Sequence, residues 1–306
     1  MVQPLPLSIL AGIVGSGLFL AMIFGVPGAA LLAYLTPLPL FLAGLAFGTG
    51  AATMASATAM VVIGLIGGGL AVVIYLLSFG LPIVVTVRQA LLWRDGPDGV
   101  EWYPAGQVVG LLAAYGAGAI VLAGLLFANE PSGLFGALDA AMASLIATLA
   151  SQGGSEAADL LRSAQDMFWL LPALLAVSWL LMILLNAVLA QALVARWGLA
   201  RRPSPSIAAF TAPRWCLGVL LAGAVLSLVS NESAAVIGAG VLVVFLVPYL
   251  FVGLGVVHVW LRRWPGQGIT LGLFYVSLVI FLYPLAFIVA ALGLIEEWAH
   301  LRRRMT

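Results

Sequence analysis

Charge is nearly absent from this sequence, with twelve basic and eleven acidic residues in a chain of 306. From Met1 to Val87 there is no charged side chain. A water-soluble domain carries about a quarter charged residues, so an ordinary aqueous surface is excluded and most of the chain faces lipid. Lysine is missing altogether, which excludes a Walker-type phosphate loop. One cysteine, Cys216, excludes an internal disulfide and reads as a small packing residue. The two histidines, His258 and His300, lie in different segments, which excludes a His-Glu-x-x-His zinc site. No apolar run holds an aspartate, so an intramembrane aspartyl pair is excluded, and proton-coupled exchange loses the mid-membrane carboxylate that it requires. Basic patches interleaved with aromatics are also missing, so no nucleic-acid partner is expected. No metal, no cofactor and no enzymatic activity is expected.

What is present is hydrophobic: 64% of the residues, with a mean hydropathy of +1.20. Only helices and closed barrels satisfy their backbone groups in lipid. The apolar runs are continuous rather than alternating, so the expected fold is all-α, a polytopic transmembrane helical bundle. Glycine is abundant, at 35 residues, and small residues let membrane helices approach closely. Nine runs stand out: Leu7–Gly25, Gly28–Phe47, Gly50–Gly67, Gly69–Leu92, Ala105–Ala128, Phe168–Val194, Trp215–Val229, Ala234–Leu261 and Ile269–Ile295. Gly67-Gly68-Gly69 reads as a helix break between the third and fourth runs. Pro248 and Pro284 place kinks or breaks in the last two.

The chain is read as one integral membrane domain over 1–306, with a first helical group at 1–128, an extracytoplasmic amphipathic segment at 129–167 and a second helical group at 168–306. All twelve basic residues are arginines, clustered between runs and at the end of the chain. The positive-inside rule places Arg88–Arg94, Arg196–Arg214 and Arg262–Arg263 in the cytoplasm, and puts the N-terminus there as well. Nine full crossings would leave Arg302-Arg303-Arg304 outside, so eight crossings with the tail inside are preferred over nine. In the 129–167 segment, Leu134, Leu138, Met142, Leu145, Ile146 and Leu149 recur at helical spacing, as on a helix lying against the membrane or the bundle. Gln152-Gly153-Gly154-Ser155 then breaks the chain, and Glu156, Asp159, Arg162 and Asp166 mark a short polar-faced helix. Asp95-Gly96-Pro97-Asp98-Gly99 is a tight turn by composition, followed by the interfacial anchor Glu101-Trp102-Tyr103.

Within the second run, Pro37 and Pro39 each remove a backbone donor and free carbonyls near Tyr34 and Thr36. Lipid does not satisfy those groups, so protein, water or a ligand must. Broken helices of this kind line many transporter sites. Tyr34, Thr36, Pro37 and Pro39 are therefore candidate ligand-binding residues, with Tyr75 and Arg88 as further candidates. Asn186 reads as a helix-joining hydrogen bonder. The Glu296-Glu297-Trp298-Ala299-His300-Leu301-Arg302 stretch is similar to the Glu-Glu-x-x-x-Arg signature of proteases that process prenylated proteins, but holds one residue too many. That residue turns the arginine by about 100° on a helix, and the stretch reads as an interfacial charge cluster.

The segment Tyr34 to Gly48, the tail from Leu292 to Trp298 with Arg302-Arg303-Arg304, and Val100-Glu101-Trp102-Tyr103-Pro104 resemble the YybS-like family of predicted bacterial membrane proteins. That family in turn resembles the substrate-binding S components of energy-coupling-factor vitamin transporters, whose proline-containing stretch and Ala-Gly-Leu-x-Phe-Gly motif are matched by Pro37, Pro39, Gly44 and Gly48. S components dock on their coupling subunit through an Ala-x-x-x-Ala motif in the first helix. Here the first run offers the small-residue pairs Ala11/Gly15, Gly12/Ser16 and Gly17/Ala21. The helix-packing candidates are accordingly Ala11, Gly15, Gly17, Ala21, Gly44 and Gly48. S components generally have six helices, and this chain has more apolar runs than that. The resemblance implies a multi-pass protein of the bacterial cytoplasmic membrane that binds a small molecule for uptake. Its partners would be the bilayer and transporter coupling subunits or another membrane protein. The alternative expectation is a non-transporting scaffold or assembly factor, which predicts an exposed groove of glycine and alanine.

Overall fold

A computed structural model describes residues 4–305 apart from 27, 98, 130–132, 152–153, 164, 231, 263 and 265. Asp98, Gln152, Gly153 and Arg263, which figure in the sequence reading, lie outside the described residues. The expected all-α polytopic architecture is what the chain adopts. In order, the helices are α1 (Pro4–Ile23), α2 (Ala29–Tyr34), α3 (Pro37–Phe47), α4 (Thr49–Tyr75), α5 (Leu81–Ala90), α6 (Ala105–Leu126), α7 (Gly133–Ser151), α8 (Ser155–Ser163), α9 (Leu171–Arg196), α10 (Arg214–Val229), α11 (Glu232–Leu261), α12 (Gln267–Ile280), α13 (Leu282–Ala299) and α14 (Leu301–Met305). The strands are β1 (Trp93–Gly96) and β2 (Gly99–Trp102), an antiparallel hairpin that pairs Trp93 with Trp102. It closes the turn expected at residues 95–99, and an Arg94–Glu101 ion pair at 2.6 Å crosses it. Outward-facing side chains are apolar: Leu65, Leu70, Leu228 and Val279 are each at least 75% exposed, as suits a hydrocarbon solvent.

Thr49–Ala90 makes 42 residues of continuous apolar helix. Drawn straight it would reach about 63 Å, twice the roughly 30 Å hydrocarbon core. It does not run straight, because Gly68 sits at φ 80°, ψ 176°, a region only glycine occupies without strain. A methyl group added to Gly64 would lie 3.2 Å from Val72, and one on Gly80 would lie 3.9 Å from Ser56. On a straight helix those pairs are about 12 Å and about 36 Å apart. The chain therefore doubles back at Gly68, as the triple glycine predicted, and the third and fourth apolar runs form separate antiparallel arms.

Chain packing divides into two compact units, the first Met1–Leu112 with Leu180–Ser206, the second Ala113–Trp179 with Ile207–Thr306. In the first unit, α1 buries the face Ser8, Gly12, Gly15, Ser16, Phe19 and Leu20. Gly12 faces the Ala55 carbonyl, and Gly44 on α3 faces Val87 and Ala52. The second unit is held by two crossings at which backbones touch. Gly223 of α10 and Gly238 of α11 each lie where a methyl would meet the other's carbonyl at 2.8–2.9 Å. Gly253 of α11 and Gly293 of α13 likewise face the Val289 and Tyr249 carbonyls. Small residues at such crossings replace the hydrophobic drive that lipid does not supply.

Two stretches differ from the expected spans. Gly133–Ser151, read as an amphipathic segment, is long and apolar enough to cross a membrane by length and composition. Asp139 is its single charge, and the polar character resides in α8, where Asp159 pairs with Arg162 at 2.5 Å. The ninth run is bent by 118° between Gln267–Ile280 and Pro284–Ala299. Arg302 beyond it donates to the carbonyls of Ala208 at 3.0 Å and Phe210 at 2.9 Å, and lies near Gly255 toward the C-terminal end of α11. The bent pair thus returns to the end of α11 from which it departs.

Two outcomes follow from this packing. With Cys216 replaced by alanine, single cysteines at Ala209 and Arg304 react with an impermeant maleimide from the same face of sealed vesicles. Gly253→Leu forces a side chain onto the Val289 backbone and lowers stability by about 2–3 kcal/mol in detergent unfolding. Gly17→Leu, where nothing lies within 4 Å, leaves stability unchanged.

Candidate functional site

The interrupted second run accounts for its own backbone. Helix α2 ends at Tyr34 and α3 begins at Pro37. Pro37 lacks the donor that would meet the Ala33 carbonyl, and the Thr36 amide takes that acceptor at 3.1 Å. Pro39 lacks the donor for Leu35, whose carbonyl accepts from Leu38 at 3.0 Å. Leu38 is thereby withdrawn from Tyr34, and the Asn186 side-chain amide of α9 donates to the Tyr34 carbonyl at 2.7 Å. The same amide also donates to Met182 at 2.7 Å. Asn186 joins helices, as its position inside an apolar run suggested. The freed carbonyls are met by protein, so they give no argument for a ligand.

The side chains around the break do. Serine and threonine in helices ordinarily bond the carbonyl three or four residues back. Ser8, Ser16, Thr53, Thr58, Thr148 and Ser227 all do so. Thr36, Ser56 and Thr86 are buried and do not, and the Tyr75 hydroxyl and Asn186 Oδ1 are buried without a hydrogen bond as well. Each such atom costs about 1–3 kcal/mol when nothing meets it, so a protein rarely keeps several together without a use. Their placement brings three of the named residues together: a methyl on Gly15 would lie 3.5 Å from the Thr36 carbonyl and 3.8 Å from the Tyr75 hydroxyl. A methyl on Gly80 would lie 3.9 Å from both Ser56 Cβ and the Tyr75 ring. The Tyr75 ring packs edge-on to Phe19 at 5.3 Å and beside Phe79 at 5.7 Å, so its hydroxyl is carried on an aromatic cluster.

Other sequence candidates lie apart from this cluster or at its rim. Pro37 is buried and Pro39 half-buried on α3, while the Tyr34 side chain is exposed. Arg88 is exposed in the last turn of α5, where a cation suits the helix dipole. Among the small residues, Gly15 and Gly44 face neighbours closely, Ala11 and Ala21 are half-buried, and Gly17 is exposed. Gly48 turns the chain between α3 and α4 at φ 103°, with the Arg201 guanidinium against its Cα. Ser56 and Thr86 were not singled out from sequence; their only signal is a hydroxyl inside an apolar run, which many helices carry.

About 16 Å along α3 from Thr36, arginines close the helix ends. Arg201 Nη1 donates to the Phe47 carbonyl at 2.9 Å, and Arg202 Nη1 to the Ala90 carbonyl at 2.7 Å. Burial pushes the Arg202 guanidinium below its usual pKa, and the group remains a cation at neutral pH. Its guanidinium lies 5.6 Å from the centre of the Trp102 ring. Beside these arginines opens a cleft of about 380 Å³ lined by Ala195, Gly198, Ala200, Arg201, Arg202, Pro203 and Ser204. These arginines read from sequence as topology markers.

In the second unit, α13 ends at His300, the one non-glycine residue with positive φ among the described residues, at 47°. The turn folds Arg302 back onto Glu296, where Nε donates at 2.8 Å with both side chains largely buried. The partner is Glu296, not Glu297, and the pair anchors the tail. A second opening, of about 350 Å³, is lined by carbon-rich faces of α6, α10 and α11, including Ala114, Ala117, Gly118, Ala222 and Gly223. Among the described residues no three His, Cys, Asp or Glu side chains converge as metal ligands.

A family model described as "Predicted membrane protein (DUF2232)" matches residues 14–296. No curated protein matches the chain, and no solved structure does.

This geometry makes Asn186→Leu destabilising by about 1–3 kcal/mol, because the Tyr34 carbonyl loses its donor. Arg302→Leu is costlier, by about 3–5 kcal/mol, since Glu296 is left buried and unpaired. Both are read from unfolding midpoints of the purified protein.

Proposed function

The chain belongs to that family of predicted membrane proteins, and from this premise we propose that its first unit binds a small molecule in a transport-related role. The observation that carries this reading is the set of buried polar atoms without partners beside the broken second run: Thr36 Oγ1, Ser56 Oγ, Tyr75 Oη and Asn186 Oδ1. They offer hydroxyl donors and acceptors and one amide oxygen, with no formal charge among them. A neutral molecule with both hydrogen-bond donors and acceptors suits them, and the Phe19, Tyr75 and Phe79 rings suit an apolar or aromatic body. Tyr34, Pro37 and Pro39 shape the break beside this cluster, and Arg88 stands apart from it.

The likeness of Tyr34 to Gly48 to S components supports the same reading. On that view the protein sits in a bacterial cytoplasmic membrane, holds no cofactor and catalyses no reaction. Energy for uptake comes from coupling subunits, because the chain has no lysine with which to build a Walker-type loop. The exposed side of α1 near Gly17, with Leu10, Ile13 and Val14, is the surface such a subunit would meet.

One observation favours the scaffold reading instead. The second unit carries an open apolar groove in which Ala114, Ala117, Gly118, Ala222 and Gly223 lie among larger side chains such as Trp215, Ile237 and Phe245, a surface on which a partner helix could pack.

Native mass spectrometry of the protein extracted from its own membrane separates the two. The binding reading expects a retained small molecule, with its affinity reduced about tenfold by Tyr75→Phe or Thr36→Val, the equivalent of one hydrogen bond. Recovery of a protein partner and no small molecule, unaffected by either substitution, supports the scaffold and removes the binding reading.

A further inference from the structure

We propose that the arginine-lined cleft after α9 is a binding site for a phosphate-type oxyanion, separate from the buried polar cluster of the first unit. Arg201 and Arg202 both line one opening of about 380 Å³. Each donates through Nη1 to one helix-end carbonyl, Arg201 to Phe47 and Arg202 to Ala90. A helix C-terminus carries roughly half a negative charge, so two such ends offset about half of the two positive charges. The cleft keeps about one unit of positive charge on this count. Among the described residues neither arginine takes part in an ion pair, and the nearby Glu101 is engaged by Arg94.

The donors of the two guanidiniums are not exhausted by the helix-end carbonyls. Arg202 Nε is buried and makes no hydrogen bond. A guanidinium presents five donors in a fixed fork that matches oxyanions in bidentate fashion, and the carbonyl bonds use one from each arginine. Ser204 adds a hydroxyl at the rim, 3.5 Å from the Gln191 amide, and Gln191 fixes the turn by donating to the Arg202 carbonyl at 3.0 Å. The walls formed by Gly198, Ala195 and Ala200 are small, which leaves the space open.

Height in the bilayer points to the same chemistry. Trp93 and Trp197 are more than half exposed at this end of the unit, and Trp102 lies over Arg202. Tryptophans gather at the headgroup level, which is where lipid phosphates lie. The shared ligand chemistry is a phosphate group, supplied by an anionic phospholipid or by a soluble phosphate compound.

Two probes distinguish the sources, both applied to the full chain. Inorganic phosphate is titrated against protein in a nonionic detergent free of phospholipid, with calorimetry as readout. Phosphatidylglycerol is offered in phosphatidylcholine nanodiscs, with retained lipid counted by native mass spectrometry. Saturable binding of phosphate assigns a soluble ligand, and selective retention of phosphatidylglycerol assigns a lipid. In either case R201Q and S204E weaken binding at least tenfold, and R162Q, outside the cleft, leaves it unchanged. If R201Q fails to fold, S204E decides, because it keeps both guanidinium–carbonyl bonds and adds a repelling carboxylate at the rim. Failure of both probes to bind saturably overturns the proposal, as does a folded S204E protein that binds as tightly as the parent.

Discussion

Every backbone carbonyl inside a hydrocarbon solvent needs a donor from the protein itself, and the few polar side chains of this chain are deployed to that end. Asn186 serves the Tyr34 carbonyl, Arg201 the end of α3, Arg202 the end of α5, and Arg302 the carbonyls of Ala208 and Phe210. A helix end leaves four carbonyls without intrahelical partners. In a water-soluble protein solvent meets most of them. Here long arginine side chains reach them from the loops. The arginines that mark topology are therefore also fasteners between segments distant in sequence.

The second constraint is close approach. Lipid tails are as apolar as leucine, so burying leucine between helices gains little, and contact has to come from backbones lying against each other. The Gly223/Gly238 and Gly253/Gly293 crossings do this in the second unit, and Gly12 does it in the first, where Gly44 also makes room for the side chains of Val87 and Ala52. These contacts leave no room for even one methyl group. Glycine composition signalled the architecture, but it did not say which glycines would meet: Gly17 and Gly118 face open space, while Gly253 does not.

Much of the fold was legible because hydrocarbon imposes simple rules. Long apolar runs became helices, the triple glycine became the reversal at Gly68, and Asn186 joined two helices. Gly133–Ser151 was harder to read, since leucines at helical spacing suit a surface helix and a crossing helix alike. Span counting at the ninth run was ambiguous for another reason: a 118° bend is a tertiary event, and Pro284 marks its place without its angle. The polar cluster was half legible. Proline at 37 and 39 drew attention to this segment for carbonyls that the protein itself turned out to satisfy. Ser56 and Tyr75 come to Thr36 only because the chain doubles back at Gly68 and packs on α1, and no local pattern encodes that meeting.

Among the polar atoms left over, Tyr75 is the most telling. A serine or threonine hydroxyl stays within rotation of its own helix's carbonyls, so one that makes no such bond in a given conformation is able to make it in another. The tyrosine hydroxyl has no such recourse, because the ring holds it well away from its own backbone. Its partner has to come from another element or from a bound molecule. Phe19 and Phe79 flank the ring with carbon, and glycine at position 15 keeps the α1 backbone low beside the hydroxyl. A phenylalanine at position 75 would fill the same space without stranding an oxygen. The hydroxyl therefore adds nothing to packing and costs stability where it stands.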